Sequence, residues 1–174
     1  TGGLHLDGLA DCGDALLPAL TRERRLQILT DPRLGTFGVL TLSLLILLKI
    51  AAVAALPEAG LVPLAIAPVI GRWLAVLAGK LPLAKNAGLG EDFAAGLTPG
   101  VIAFAALLPI GVLALGVLGD LRVLAALLVA HLAALAGAAI SRERLGGMGG
   151  DMLGAIIEVS ELVILLTFAA RWPA

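Results

Sequence analysis

Asp7, Asp11 and Asp14 stand four and three residues apart, the separations that bring side chains together on one face of a helix. At about 100° per residue they share roughly 60° of arc. Three like charges so placed repel one another unless a cation sits among them. Carboxylate oxygens are the preferred ligands of Mg²⁺, so the pattern points to a divalent ion with a phosphate beyond it. The competing reading is a solvated polar face, or N-capping by Asp7 or Asp11. Leucines at 6, 9 and 16 weigh against it, because this helix must also touch lipid or protein.

A second acidic group lies near the other end. In "GGMGGDMLGAIIEVSEL", residues 146–162, Asp151 follows four glycines and opens a helix. Glu158, seven residues on, shares nearly the same face, and Glu161 is close to it. Gly154 on that face permits close approach of another helix or a ligand. Glu158 and Glu161 fall inside an apolar stretch, where carboxylates are costly and mark function by default. The structural alternative is that they are neutral, or paired with Lys49 or Arg72. The glycine run, with Gly147 and Gly150, can offer backbone N–H groups to a phosphate at a helix N-terminus.

Arginines supply the third element, "TRERRLQILTDPRLGTFG" at 21–38. Arg22, Arg24 and Arg25 read as ordinary topology-setting charge, and Arg33, at the mouth of the bundle, as a phosphate ligand. Arg72 lies deeper and could face an anion. His5 reads as a satisfied polar residue, His131 as structural and Cys12 as a small packing residue.

The elements that must carry these groups are membrane helices. Of 174 residues 60% are hydrophobic and 14% charged, where a soluble domain is about half apolar and a quarter charged. A net charge of −1, with 3% aromatics and no Tyr, argues against a nucleic-acid partner. One Cys makes neither an internal disulfide nor a zinc site. Apolar stretches at 36–56, 61–79, 98–118, 121–140 and 152–170 approach the ~20 residues that cross a bilayer. They do not alternate as barrel strands do. Basic residues gather in alternate loops, which places 1–35, 80–97 and 141–151 on the cytoplasmic side. The expectation is an all-α polytopic transmembrane bundle in the lipid bilayer. It has about five spanning helices, plus an N-terminal acidic helix at the cytoplasmic face, and forms one integral-membrane catalytic domain over 1–174. Metal-assisted transfer of a phosphate-linked group is the chemistry such a bundle suggests.

Three segments, "TGGLHLDGLADCGDAL", "RERRLQILTDPRLGTFGVL" and "LGGMGGDMLGAIIEVSELVILL", resemble in order the signature segments of the bacterial cobalamin synthase family, the adenosylcobinamide-GDP ribazoletransferases. The resemblance implies the last assembly step of vitamin B12 synthesis. A hydroxyl of α-ribazole or its 5′-phosphate attacks the phosphate attached to cobinamide in adenosylcobinamide-GDP, and GMP leaves. It implies Mg²⁺ and a multi-pass inner-membrane enzyme with its active site facing the cytoplasm. Carried over by position, Asp7, Asp11, Asp14 and Asp151 hold the metal. Glu158 and Asp14 are catalytic, Glu158 as a further ligand or base, and Arg33, Gly147 and Gly150 bind substrate phosphate. Ala15 and Pro32 depart from the family pattern, and 60–140 resembles it only loosely apart from "GLG" at 88–90. Family members carry one or two more helices before "TGG", so a truncated N-terminus is expected.

Two other readings compete. A CDP-alcohol phosphatidyltransferase uses similar logic, but its motif places "AR" after the first "DG" and a second aspartate pair soon after. Here "DGLAD" lacks that Arg. A cation transporter using Asp151, Glu158 and Glu161 predicts repeats or paired broken helices, and would leave the aspartate triplet unexplained.

Overall fold

The computed structural model describes residues 1–56, 61–84 and 88–170. The turn expected at Pro57 and Gly60, with Glu58, lies outside the described residues, as do Lys85 and Arg171. The chain forms helices α1 (Leu4–Leu16), α2 (Arg22–Ile28), α3 (Thr36–Ala54), α4 (Leu61–Ala78), α5 (Leu89–Gly96), α6 (Pro99–Ala105), α7 (Leu107–Leu118), α8 (Leu121–Leu145) and α9 (Gly150–Ala169). Among the described residues the extended pairing is one isolated parallel bridge, Leu83 to Met148. The expected all-α architecture is what forms.

Local sequence sets the helix ends. Thr98 Oγ1 accepts from Val101 N–H at 3.3 Å, with Pro99 at the first helical position, and so opens α6. Asp120 Oδ1 accepts from Arg122 N–H at 2.9 Å and opens α8. Gly146, at φ 87°, closes α8 in the left-handed conformation that glycine takes without penalty. The arginines read as topology charge have a second task. Arg25 donates to Ala15 O and Arg144 to Leu16 O, while Arg22 Nε donates to Leu145 O at 2.8 Å. They thereby satisfy carbonyls left open at the C-termini of α1 and α8, where cations are also favoured by the helix dipole.

α9 is the axis of the bundle and packs against α1, α3, α4 and α8. In its most apolar window 67% of residues are buried, against 17% for α3. This difference makes α9 the inner helix. α3 is left with Leu40, Leu44 and Leu47 turned outward, as a membrane helix at a bundle's edge requires. Of the five expected spans, α3, α8 and α9 are long and apolar enough to cross a membrane. A fourth counts if α5 and the segment from Pro99 to Ala114, bent by 89°, are taken as one. α4 falls in the shorter class, Val62–Ala78, and carries Pro68 in its interior. The expected span at 98–118 is interrupted between α6 and α7. Pro109 supplies no N–H there to reach back to Ala105, which ends the first helix.

Two glycines let α1 cross α9 backbone to backbone. A Cβ on Gly8 would stand 2.8 Å from Asp151 Cα, and one on Gly154 would stand 3.1 Å from His5 Cα. No larger side chain fits at Gly8, because what it would meet is main chain rather than a movable side chain. This crossing brings the N-terminal aspartate helix to the first turn of α9.

Candidate active site

The crossing gathers three of the predicted metal ligands. Burial pushes the Asp11 carboxyl up to about 6, with Asp151, Asp7 and Asp14 adding repulsion in that order. Among the described residues no ion pair reaches Asp7, Asp11 or Asp151. The group is therefore held together against its own charge, the condition that a bound cation would relieve. Among the described residues no three His, Cys, Asp or Glu side chains converge closely enough to hold a metal by themselves. Mg²⁺ does not need that. It is bound through one or two carboxylates and completes its octahedron with water and substrate phosphate. The donor set fits such an ion in the presence of substrate.

Asp14, expected as both ligand and catalytic residue, is engaged elsewhere. Its Oδ2 accepts from Gly35 N–H at 2.6 Å and its Oδ1 from Gly38 N–H at 2.8 Å. The first turn of α3, whose own N-cap Gly35 has no side chain to offer, is thus capped from α1. The sequence spacing that puts Asp14 on the face of Asp7 and Asp11 is real, but the nearest orphan N–H groups claim it. Asp14→Ala is expected to lower stability by about 3 kcal/mol, since two charge-assisted hydrogen bonds go and buried donors are left open. Thermal unfolding in detergent measures it.

Glu158 and Glu161 form a buried ion network, the paired alternative read from the sequence. Lys49 Nζ of α3 donates to Glu158 Oε2 at 2.6 Å and to Glu161 Oε2 at 2.8 Å. Arg72 Nη1 of α4 donates to Glu161 Oε1 at 2.9 Å and to Pro68 O at 3.0 Å. Glu158 is buried, and its other oxygen lies 4.0 Å from His5 Nδ1. His5, with its pKa lowered chiefly by burial and next by Arg72, lies on the open side of the pair.

A cavity of about 860 Å³ opens beside the crossing, within the size range of small-molecule sites. Gly150 and Asp151 line it, as do His5, Arg72 and Gly90. A Cβ on Gly90 would meet Gly150 N at 2.7 Å, so the first turns of α5 and α9 abut. Helix N-termini with bare glycine backbone favour anions. The "GLG" at 88–90 carried this second N-terminus, but its meeting with Gly150 rests on a contact between residues sixty apart, which no local pattern shows.

Two expected phosphate ligands are placed otherwise. Gly147 is buried against the 82–84 segment, where a Cβ would meet Pro82 O at 2.5 Å, and its carbonyl accepts from Ser141 Oγ at 2.6 Å. Its small size serves the Leu83–Met148 pairing, in which Met148 N–H donates to Pro82 O at 2.8 Å. Arg33 does not line the cavity. Its side chain is 85% exposed and forks onto Asp31, with Nη2 2.7 Å from Oδ2 and Nε 2.9 Å from Oδ1.

A family described as Cobalamin-5-phosphate synthase matches residues 1–169. The chain is 39% identical over 174 residues to an adenosylcobinamide-GDP ribazoletransferase of Roseiflexus sp. (strain RS-1), covering 99% of this chain and 64% of that one. It is 44% identical over 175 residues to the protein of that name from Pseudomonas savastanoi pv. phaseolicola, covering 97% of this chain and 70% of the relative. The relative in Brevibacillus brevis, 39% identical over 181 residues, is likewise covered over 70% of its length. The chain thus spans about two thirds of the relatives it matches. No solved structure matches it. The chain belongs to the cobalamin-5-phosphate synthase family.

Proposed function

We propose that this protein is a membrane transferase that joins adenosylcobinamide-GDP to α-ribazole or its 5′-phosphate, releasing GMP, in the final assembly of cobalamin. The observation that carries the reading is the α1–α9 crossing. It brings Asp7 and Asp11 near Asp151, which lines a glycine-lined cavity, and among the described residues no ion pair reaches the three, in a chain of this family. A lipid-transferase or transporter reading gains no support from relatives that share the ribazoletransferase name.

The residues divide the work as follows. Asp7, Asp11 and Asp151 would hold Mg²⁺, which when bound neutralises pyrophosphate charge and favours departure of GMP. Backbone N–H groups at the first turns of α5 and α9, at Gly90 and Gly150, orient the pyrophosphate. The ribazole hydroxyl attacks the phosphorus attached to cobinamide, a P–O bond forms, and the bond to the GMP oxygen breaks. The hydroxyl proton passes to the His5–Glu158 pair, of which His5 faces the cavity. Asp14 keeps α3 on α1 and takes no part in the chemistry. The basic segments before α3, after α4 and at the end of α8 support an inner-membrane position with this site on the cytoplasmic side.

Removal of the metal tests the reading. GMP release by the protein in liposomes is expected to fall by at least a hundredfold in chelator and to return on titration with Mg²⁺. Undiminished turnover in chelator would sink the metal role.

A further inference from the structure

Arg72 is the one permanent cation among the described side chains that line the cavity; the other charged side chains there are the carboxylates of Glu91, Asp92 and Asp151. It stands in an apolar helix, where an arginine is expensive. Its described hydrogen bonds all use Nη1, to Glu161 and to Pro68 O, which fixes the guanidinium and leaves the Nη2 and Nε donors uncommitted. The side chain is 47% exposed and is among those that line the cavity. Glu161, the residue that fixes it, is 16% exposed and is itself held from the far side by Lys49. Charges drawn together in an apolar bundle stabilise less than well-packed apolar side chains would. Their arrangement, however, holds one guanidinium rigidly against a cavity wall.

A fixed fork of N–H donors recognises an oxyanion, a phosphate above all. Its depth indicates which one. Glu161 lies ten residues below Asp151 on α9, about 15 Å along the helix, so Arg72 is remote from a pyrophosphate bound at the carboxylates. Resting on the reaction proposed above, we infer that Arg72 binds the phosphate of the second substrate, the phosphorylated nucleoside, and that Glu161 is its positioning residue. Arg72 then sets the preference for α-ribazole 5′-phosphate over α-ribazole.

The test is GMP release in zwitterionic liposomes at fixed adenosylcobinamide-GDP, with α-ribazole 5′-phosphate or α-ribazole varied. The ratio of the two kcat/KM values is read. In Arg72→Gln this ratio is expected to fall at least tenfold, mainly through KM for the phosphorylated substrate. Glu161→Gln moves it the same way by less. Arg72→Lys, which keeps the charge and loses the fork, lowers it partially and decides the matter if the Gln variant does not accumulate. A ratio within twofold of wild type in these variants overturns the inference. Adding phosphatidylglycerol to the liposomes separates the other source of phosphate. An anionic-lipid effect on wild-type turnover that vanishes in Arg72→Lys would give the site to a lipid headgroup and overturn the substrate role. Wild-type protein that releases no GMP with either substrate overturns the underlying reaction, an outcome distinct from an unchanged ratio.

Discussion

Asp11→Asn is expected to reduce GMP release by at least a thousandfold and to leave the protein as stable as wild type, or more so. The two parts have one cause. Asp11 sits partly buried among Asp151, Asp7 and Asp14, and burial with that repulsion holds its carboxyl up at about 6. Replacing it by the isosteric amide removes a like charge from the group and costs no ion pair, because among the described residues none is made. A residue present for the fold would do the opposite. Asp14, which makes two hydrogen bonds to the α3 N-terminus, is the internal contrast: its loss is read in unfolding before it is read in turnover. Loss of activity with retained stability is the signature of groups arranged for a ligand. The measurement is paired, GMP release and thermal unfolding on the same preparation. A substantial fall in melting temperature for Asp11→Asn would place that residue with Asp14 as structural.

Lys49→Met is expected to be the most destabilising single change in the bundle, by about 3–5 kcal/mol. Lys49 Nζ is shared between Glu158 and Glu161, at 2.6 and 2.8 Å. Without it Glu158, 7% exposed, keeps its charge among apolar neighbours or takes up a proton, and either costs free energy. Glu161 retains Arg72 and is affected less. The double variant Lys49→Met with Glu158→Gln should therefore recover much of the loss, since both halves of the pair become neutral. Thermal unfolding of the four members of the cycle measures the coupling. A single Lys49→Met variant that melts with wild type would show that the pair contributes nothing.

The bundle was legible because its signals are local. Apolar runs near the length of a span declare the helices in the sequence, whereas the caps at Thr98 and Asp120 and the Gly146 stop emerge from the structure. The helical spacing of Asp7, Asp11 and Asp14 and the glycine run before Asp151 are local in the same way. What was not legible depends on which distant groups meet. Asp14 has the spacing of a ligand, yet its carboxylate goes to Gly35 and Gly38, twenty-one and twenty-four residues on. Gly147 sits in the same run as Gly150, but the 82–84 segment lies against one and the cavity beside the other. Arg33 has the chemistry for phosphate and is taken by Asp31, two residues before it. The expected span at 98–118 is broken between α6 and α7, and a reason is visible in the sequence, Pro109, which supplies no N–H to reach back to Ala105.

In the proposed function, transfer of a phosphate-linked corrinoid to a ribazole hydroxyl takes place in the cavity beside the α1–α9 crossing. The most direct measurement is GMP release by the protein in liposomes, with Mg²⁺ and with adenosylcobinamide-GDP and α-ribazole 5′-phosphate supplied together and singly. GMP is expected only when both are present, in step with cobalamin 5′-phosphate. No GMP from a folded preparation, or equal GMP from adenosylcobinamide-GDP alone, would contradict it.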